Sequence, residues 1–344
     1  MSDVPPDRVC DLSANENPSP PSPRVIAAIA EAARQLNRYP EGEDDALRAA
    51  VAEALGRGVT PEHVLTGSSG SDVLELIARV HLNPGDEAIV CPPAFTVYAP
   101  QIRRQHAQVV SVPLDPHTFA CETEAVLRAV TSKTRLLYLC NPGNPTGVVI
   151  PSATLDTLLD RLPADVVVVA DEVYAHYVAH PQFPDSLGQV LVGRPLIVVH
   201  SFSKAYALAG LRLGYAVSSP ALVKRVAAAR RKFHLGRLEI AAGIAALSDP
   251  EFVRASVDLV HRERPFFYKT FRRLGLTYWP SDANFVLFRA PGDAHTLQQT
   301  LSTRGVRVRT TDGNGLPGHL RVTVGRVDEN RRFAAALEEA LSCA

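Results

Sequence analysis

Short, continuously apolar runs alternate with stretches of helical periodicity over most of this chain. The runs fall at 88–91, 109–112, 136–140, 166–170, 196–200 and 213–217. Runs without polar alternation predict strands covered on both faces. Helical spacing lies between them, at 73–80, 122–130 and 152–161, so strand and helix alternate and a largely parallel, doubly covered sheet is expected. Ahead of this region the prolines Pro18, Pro20, Pro21 and Pro23 predict an extended arm. Amphipathic helices are predicted at 24–36 and 45–55. Beyond it, 251–274 reads as one long helix crossing between domains. Strands at 283–288, 306–309 and 320–324 and a last helix from Asp328 complete a smaller α+β unit. The expected division is an arm and helix over 1–40 belonging with the small unit, a large domain over 41–250, and a small domain over 251–344.

Composition narrows the function classes. Of 344 residues, 36 are Lys or Arg and 36 are Asp or Glu, a formal net charge of zero. That balance argues against nucleic acid or an anionic membrane as the main partner. Cys10, Cys91, Cys121, Cys140 and Cys343 are odd in number and form no CxxC pair, so neither a disulfide framework nor a zinc site is expected, and no metal is assigned. Cys91 and Cys140 each end an apolar run and are expected to be buried thiols. The polar, Pro-rich start lacks a signal-peptide pattern, and no apolar run reaches the length of a membrane span. A cytoplasmic location is the expectation.

Ligands of parallel sheets sit beyond the carboxyl ends of the strands. Three strands here end in polar groups that one cofactor can share. The run 136–140 leads into Asn141-Pro142-Gly143-Asn144-Pro145-Thr146-Gly147, the run 166–170 into Asp171-Glu172-Val173-Tyr174, and the run 196–200 into Ser201-Phe202-Ser203-Lys204. Pyridoxal 5′-phosphate makes use of all three. Asp171 would hold the proton on its pyridine nitrogen, Asn144 and Tyr174 would donate to its 3-oxygen, and Lys204 would form the Schiff base and later act as proton carrier. The small residues of Thr66-Gly67-Ser68-Ser69-Gly70-Ser71-Asp72 open the next helix and suit a phosphate, with Ser201, Ser203 and Arg212 as further candidates.

The segment from Ser201 through Lys204 and Arg212 to Tyr215 resembles the lysine segment of the fold-type I, class I/II aminotransferases. It is most similar to the histidinol-phosphate aminotransferase branch. Further segments agree: Leu12–Pro18 as LSANENP, Arg38-Tyr39-Pro40, the NPGNPTG turn, Ala283-Asn284-Phe285, and Leu320 to Gly325 as LRVTVG. The resemblance covers nearly the whole chain. It implies a large domain with a mostly parallel seven-stranded sheet and a smaller α+β domain. It implies an amino group moving between an amino acid or amino-alcohol phosphate and a 2-oxo acid. It also implies that Phe95 stacks on the cofactor ring, that Tyr39 reaches the cofactor phosphate of a neighbouring subunit in a homodimer, that Arg321 clamps a substrate carboxylate, and that Asn15 helps cover the site. Arg309 is a candidate for a second anionic group.

Departures from the family pattern are Gly143, Glu41, the Ser71-Asp72 pair, Asn314 and the segment 232–237, with His234 and Arg237. The last motivates an alternative, a decarboxylase or an eliminating or cyclising lyase using the same cofactor. Gly313 to Gly318 matches GxGxxG, but a proline and a β-rich run follow where a dinucleotide site needs a helix. A cofactor-sensing regulator would need a DNA-binding domain for which the short arm leaves no room.

Overall fold

The computed structural model describes residues 9–42 and 44–342. Cys343 and the first eight residues of the predicted arm lie outside them. The large sheet has seven strands. From one edge they run Val64–Gly67, Gly214–Val217, Leu196–Ser201, Val167–Asp171, Thr134–Cys140, Glu87–Val90 and Gln108–Ser111. The three strands that carry the cofactor-type motifs are therefore adjacent, with Val167–Asp171 central. They are mutually parallel, with Cys140 opposite Asp171 and Asp171 opposite Val199. All five residues of the central strand are buried, which is why its sequence shows no alternation. Gly214–Val217 is antiparallel to both neighbours.

Val64–Gly67 was not read as a strand. Its polar end, Thr66-Gly67, merges with the loop Ser68-Ser69, so four residues offered too short a pattern. All four are buried, and they deliver the chain to the helix Gly70–His81. That helix starts three residues before the apolar spacing begins, because the N-cap is Ser69, whose side chain accepts from Asp72 N at 3.1 Å.

A second sheet has four antiparallel strands in the order Arg309–Thr310, His319–Thr323, Phe285–Arg289, Tyr278–Trp279. It is backed by a phenyl-rich core in which Phe271 stacks on Phe288 at 4.7 Å, with Phe267, Phe285 and Phe333 fully buried. The helices Pro250–Arg273 and Val327–Ser342 pack on it. The predicted strand 306–309 is in fact broken at Val308. Val306–Arg307 pairs in parallel with the arm strand Cys10–Asp11, while Arg309–Thr310 joins the four-stranded sheet.

One expectation needs correction. The first helix, Pro23–Ala33, does not belong with the small unit. Its buried Val25 lies in the core of the large sheet, with Ile29 packed against it, in company with Leu213 and Ala242. The arm itself, Cys10 to Leu12, does pack with the small core. The arm thus leaves one core and enters the other within twelve residues. Cys10, Cys91 and Cys121 are buried free thiols, and Cys140 is half-buried. Among the described residues no helix is long and apolar enough to cross a membrane.

Gly214 shows how closely strand and loop are fitted. A Cβ there would lie 2.4 Å from Gly70 N and 2.6 Å from the Ser69 carbonyl carbon, both backbone atoms. Gly214→Ala is expected to cost about 2 kcal/mol by overpacking and to displace the start of the helix Gly70–His81. Thermal melting should show the loss. Affinity for pyridoxal phosphate should fall with it, and an unchanged affinity would separate this contact from the site.

Candidate active site

The ends of the three central strands, the start of the helix Gly70–His81, the arm and the small sheet surround one cavity of about 650 Å³. Ser69, Gly70, Ser71, Phe95, Asn144, Asp171, Tyr174, Ser201, Ser203, Lys204, Arg212, Asn15, Arg309 and Arg321 all line it, which is every site residue expected from sequence except Tyr39. Tyr39 is 75% exposed and stacks on Phe233 at 4.4 Å, outside the cavity.

Asp171 ends the central strand at 1% exposure. Its Oδ2 accepts from Tyr98 Oη at 2.6 Å, and its Oδ1 is buried with no partner. Burial pushes its carboxyl up to about 6, against the opposing pull of the Tyr98 hydrogen bond, the Val173 backbone N–H and the Lys204 charge. An acceptor oxygen sealed from water costs free energy until a donor meets it. An N–H⁺ donor would satisfy Oδ1 and restore the ionised carboxylate. Glu172, next along the chain, does not line the cavity. Its carboxyl accepts from Ser186 Oγ and is raised to about 8 by burial, so it holds its proton at neutral pH.

Across the cavity, Lys204 Nζ donates to Asn15 O at 3.1 Å and lies 5.7 Å from the Tyr174 ring centre. Burial, then the nearby Arg321 charge, lowers its ammonium to about 8. Roughly a tenth is therefore a free amine at pH 7, far more than for an ordinary lysine, as a Schiff-base lysine requires. The Tyr174 hydroxyl accepts from Asn15 Nδ2 at 2.9 Å and Asn144 Nδ2 at 3.4 Å, which leaves its own proton to be donated into the cavity. Asn15 Nδ2 and backbone N–H are both committed, the latter to Thr323 Oγ1 at 2.9 Å. Its backbone oxygen takes Asn284 Nδ2 as well as Lys204. The arm is thus part of the floor and not merely a cover.

The phosphate-type corner comprises Ser69, Gly70, Ser71, Ser201, Ser203 and Arg212 around the N-terminus of a 12-residue helix. The backbone is strained here. Ser69 has φ 112°, ψ 162°, and Arg212 has φ 58°, ψ 66°. Asn15 also has positive φ, 55°. Such conformations cost of order 1–3 kcal/mol and gather where a ligand must be held.

Arg321 is 7% exposed. It donates to Asn144 Oδ1 at 2.6 Å and to Ser13 O at 2.8 Å, while its Nε is buried without a partner. Arg309 is its direct cross-strand neighbour in the small sheet. Both line the cavity, and neither forms an ion pair with a carboxylate among the described residues.

Two features were missed from sequence. Tyr98 was not singled out, yet its hydroxyl donates to Asp171 Oδ2 at 2.6 Å. The unusual segment 232–237 does not line the cavity. His234 Nε2 sits 2.9 Å from Thr66 Oγ1, and Arg230 pairs with buried Asp44 at 2.7 Å, so this group braces the strand beneath the phosphate corner. Arg237 donates to the backbone oxygens of Arg38 and Tyr39. These residues hold neighbouring chain in place. They give no support to a changed reaction.

Residues 7–337 match the family model described as aminotransferase class I and II. The chain belongs to that family. Relatives include a histidinol-phosphate aminotransferase of Symbiobacterium thermophilum, 41% identical over 96% of this chain and 90% of the relative, and one of Moorella thermoacetica, 37% identical over 97% and 86%. Among solved structures, histidinol-phosphate aminotransferase of Sinorhizobium meliloti in complex with pyridoxal-5′-phosphate superposes with a TM-score of 0.88 at 27% identity, over 97% of this chain and 91% of that one. Aspartate aminotransferase of Thermus thermophilus with maleate gives 0.86 at 26%, over 96% and 91%. This aminotransferase therefore has the fold-type I architecture, depends on pyridoxal phosphate and transfers amino groups.

The orphaned Asp171 oxygen, the free Tyr174 proton and the small-residue corner all suit that cofactor. Because the lysine ammonium is lowered to about 8, the rate at which apoenzyme takes up pyridoxal phosphate should rise with pH and level off above about 8. Removing the Arg321 charge in Arg321→Ala should move that inflection upward, since the cation favours the neutral amine. Stopped-flow absorbance over pH 6–10 tests this, and an inflection that stays put would contradict the assigned influence of Arg321.

Proposed function

We propose that this aminotransferase acts on an amino donor carrying a strongly anionic group, such as histidinol phosphate, and returns the cofactor with a 2-oxo acid such as 2-oxoglutarate. The observation that carries this reading is the Arg309–Arg321 pair. Like charges directly opposite in a sheet are destabilising, and here neither arginine forms an ion pair with a carboxylate among the described residues. Two guanidinium groups lining one cavity suit a phosphate monoester dianion, or the two carboxylates of a dicarboxylic acid. The relatives named histidinol-phosphate aminotransferase support the phosphate ester.

Within this reading, Asp171 holds the pyridinium proton and Tyr174 and Asn144 steady the ring 3-oxygen. Phe95, in the cavity wall, would stack on the ring. Ser69, Gly70, Ser71, Ser201, Ser203 and Arg212 hold the phosphate. Pyridoxal phosphate, when bound, supplies an electron sink conjugated to the substrate carbon. Lys204 would hold the cofactor aldehyde, and its amine would be the group that takes the proton from that carbon, breaking its C–H bond. Arg321, with Asn144 Oδ1 and Ser13 O fixing its plane, orients the substrate so that this bond faces Lys204.

Residues 41–250 form the cofactor-binding unit, joined by the first helix, and 251–344 the unit that carries the two arginines. The functional particle is a homodimer. Tyr39, Leu36 and Ile26 are apolar and exposed, at 75%, 58% and 52%. Arg237 pins the backbone at 38–39 so that Tyr39 is presented outward to the cofactor phosphate of a second copy. Sedimentation should give a particle of twice the 37.2 kDa chain mass. A monomer that retains full turnover would refute the shared site.

Mixing holoenzyme with histidinol phosphate or glutamate should convert the bound cofactor to its amine form, followed by absorbance. Arg309→Ala should lower kcat/KM for histidinol phosphate on the order of 10–100-fold, as expected for loss of a charged hydrogen bond of about 1.5–3 kcal/mol. Conversion by glutamate but not by any phosphate ester would overturn the proposed donor.

A further inference from the structure

Besides the arginine pair, the cavity wall supplied by the small unit carries two side-chain amides. Gln298 comes from the helix Ala294–Thr303 and Asn314 from the turn Asp312–Asn314, and both are half-buried and line the cavity. Their orientation is fixed. Gln298 Nε2 donates to Val308 O at 2.9 Å, and Asn314 Nδ2 donates to Ala94 O at 2.9 Å. A backbone carbonyl can only accept, so it is the NH₂ end of each amide that is consumed. Asn314 is tied a second time, since Ala94 N donates to Asn314 O at 3.3 Å. Among the described residues, no donor is directed at Gln298 Oε1 or Asn314 Oδ1. Next to the Arg309 cation, this wall therefore offers two carbonyl oxygens that no protein donor meets among the described residues, each amide keeping one further N–H.

We propose that Gln298 and Asn314 are specificity-determining residues that select an amino substrate whose side chain carries N–H or O–H donors beside its anionic group. This rests on reading Arg309 and Arg321 as the anion clamp. A purely apolar side chain would strip water from both carbonyl oxygens without replacing it, leaving two acceptors unpaired. A side chain with an imidazole, amide or ammonium N–H satisfies them. Discrimination by built-in polar groups is stronger than discrimination by shape alone.

The test compares matched ligands with and without donors. Half-reaction rates of holoenzyme are measured for histidinol phosphate and phenylalaninol phosphate, which share the phosphate, the amine and a flat ring. The wild type should prefer the imidazole compound about tenfold or more. Gln298→Met and Asn314→Leu should each lower that ratio severalfold. Calorimetric binding of 3-(imidazol-4-yl)propyl phosphate and 3-phenylpropyl phosphate, which lack the amine and cannot react, should lose discrimination in parallel. Asn314→Asp separates acceptance from the strap to Ala94. It keeps an acceptor but cannot donate to Ala94 O, so it should retain more preference than Asn314→Leu. Ratios unchanged in both single variants overturn the proposal, and equal loss in Asn314→Asp and Asn314→Leu overturns it for Asn314. If no phosphate ester reacts or binds, the anion reading has failed instead. The same variants are then compared on histidine against phenylalanine, where an unchanged ratio again overturns the role of the amides.

Discussion

A carboxylate sealed from water at the end of a central strand is costly unless something positive meets it. In this aminotransferase the Asp171 oxygen that faces no protein donor is that debt, and the surrounding architecture is arranged about it. The three parallel strands bring Asp171, Asn144 and Lys204 to one edge because each ends at the same side of the sheet. Tyr98 takes one carboxylate oxygen, and the other is buried without a partner in a residue that lines the cavity. Burial and the Arg321 charge lower the Lys204 ammonium to about 8, and this amine and the Asp171 acid line the same cavity.

The second constraint is that the site is assembled from distant sequence. Asn15 connects the arm to Tyr174, Thr323, Asn284 and Lys204 by hydrogen bonds spanning up to 308 positions. Asn17 reaches over the lysine loop to Lys204 O, Ala205 O and Ser256 Oγ. The buried network leaves few alternatives for these side chains, which is how backbone strain at Ser69, Arg212 and Asn15 is maintained. The small unit supplies the arginines and the amide-lined wall, and through the Arg321 charge it also helps to lower the Lys204 ammonium, so both cores act on the amine.

Much of this was legible in the chain because its signals are local. Continuous apolar runs that each end in polar groups mark the central strands, and the order of Asn144, Asp171 and Lys204 marks their shared edge. Boundaries failed where the signal is tertiary. Val64–Gly67 is a strand because Gly214–Val217 pairs with it, and the break at Val308 exists because two sheets compete for one segment. Tyr98 could not be distinguished from core aromatics, since its role depends on a carboxylate 73 positions away. His234 and Arg237 were suspected of altering the chemistry because they depart from the family. Contacts with Thr66 and with the backbone at 38–39 show instead that they brace the scaffold.

The opposition of one lysine and one carboxylate is most directly examined by reducing the holoenzyme with borohydride and mapping the modified peptide by mass spectrometry. The pyridoxyl group should be found on Lys204 and on no other lysine. Modification of a different lysine, or none in protein saturated with cofactor, would contradict the account.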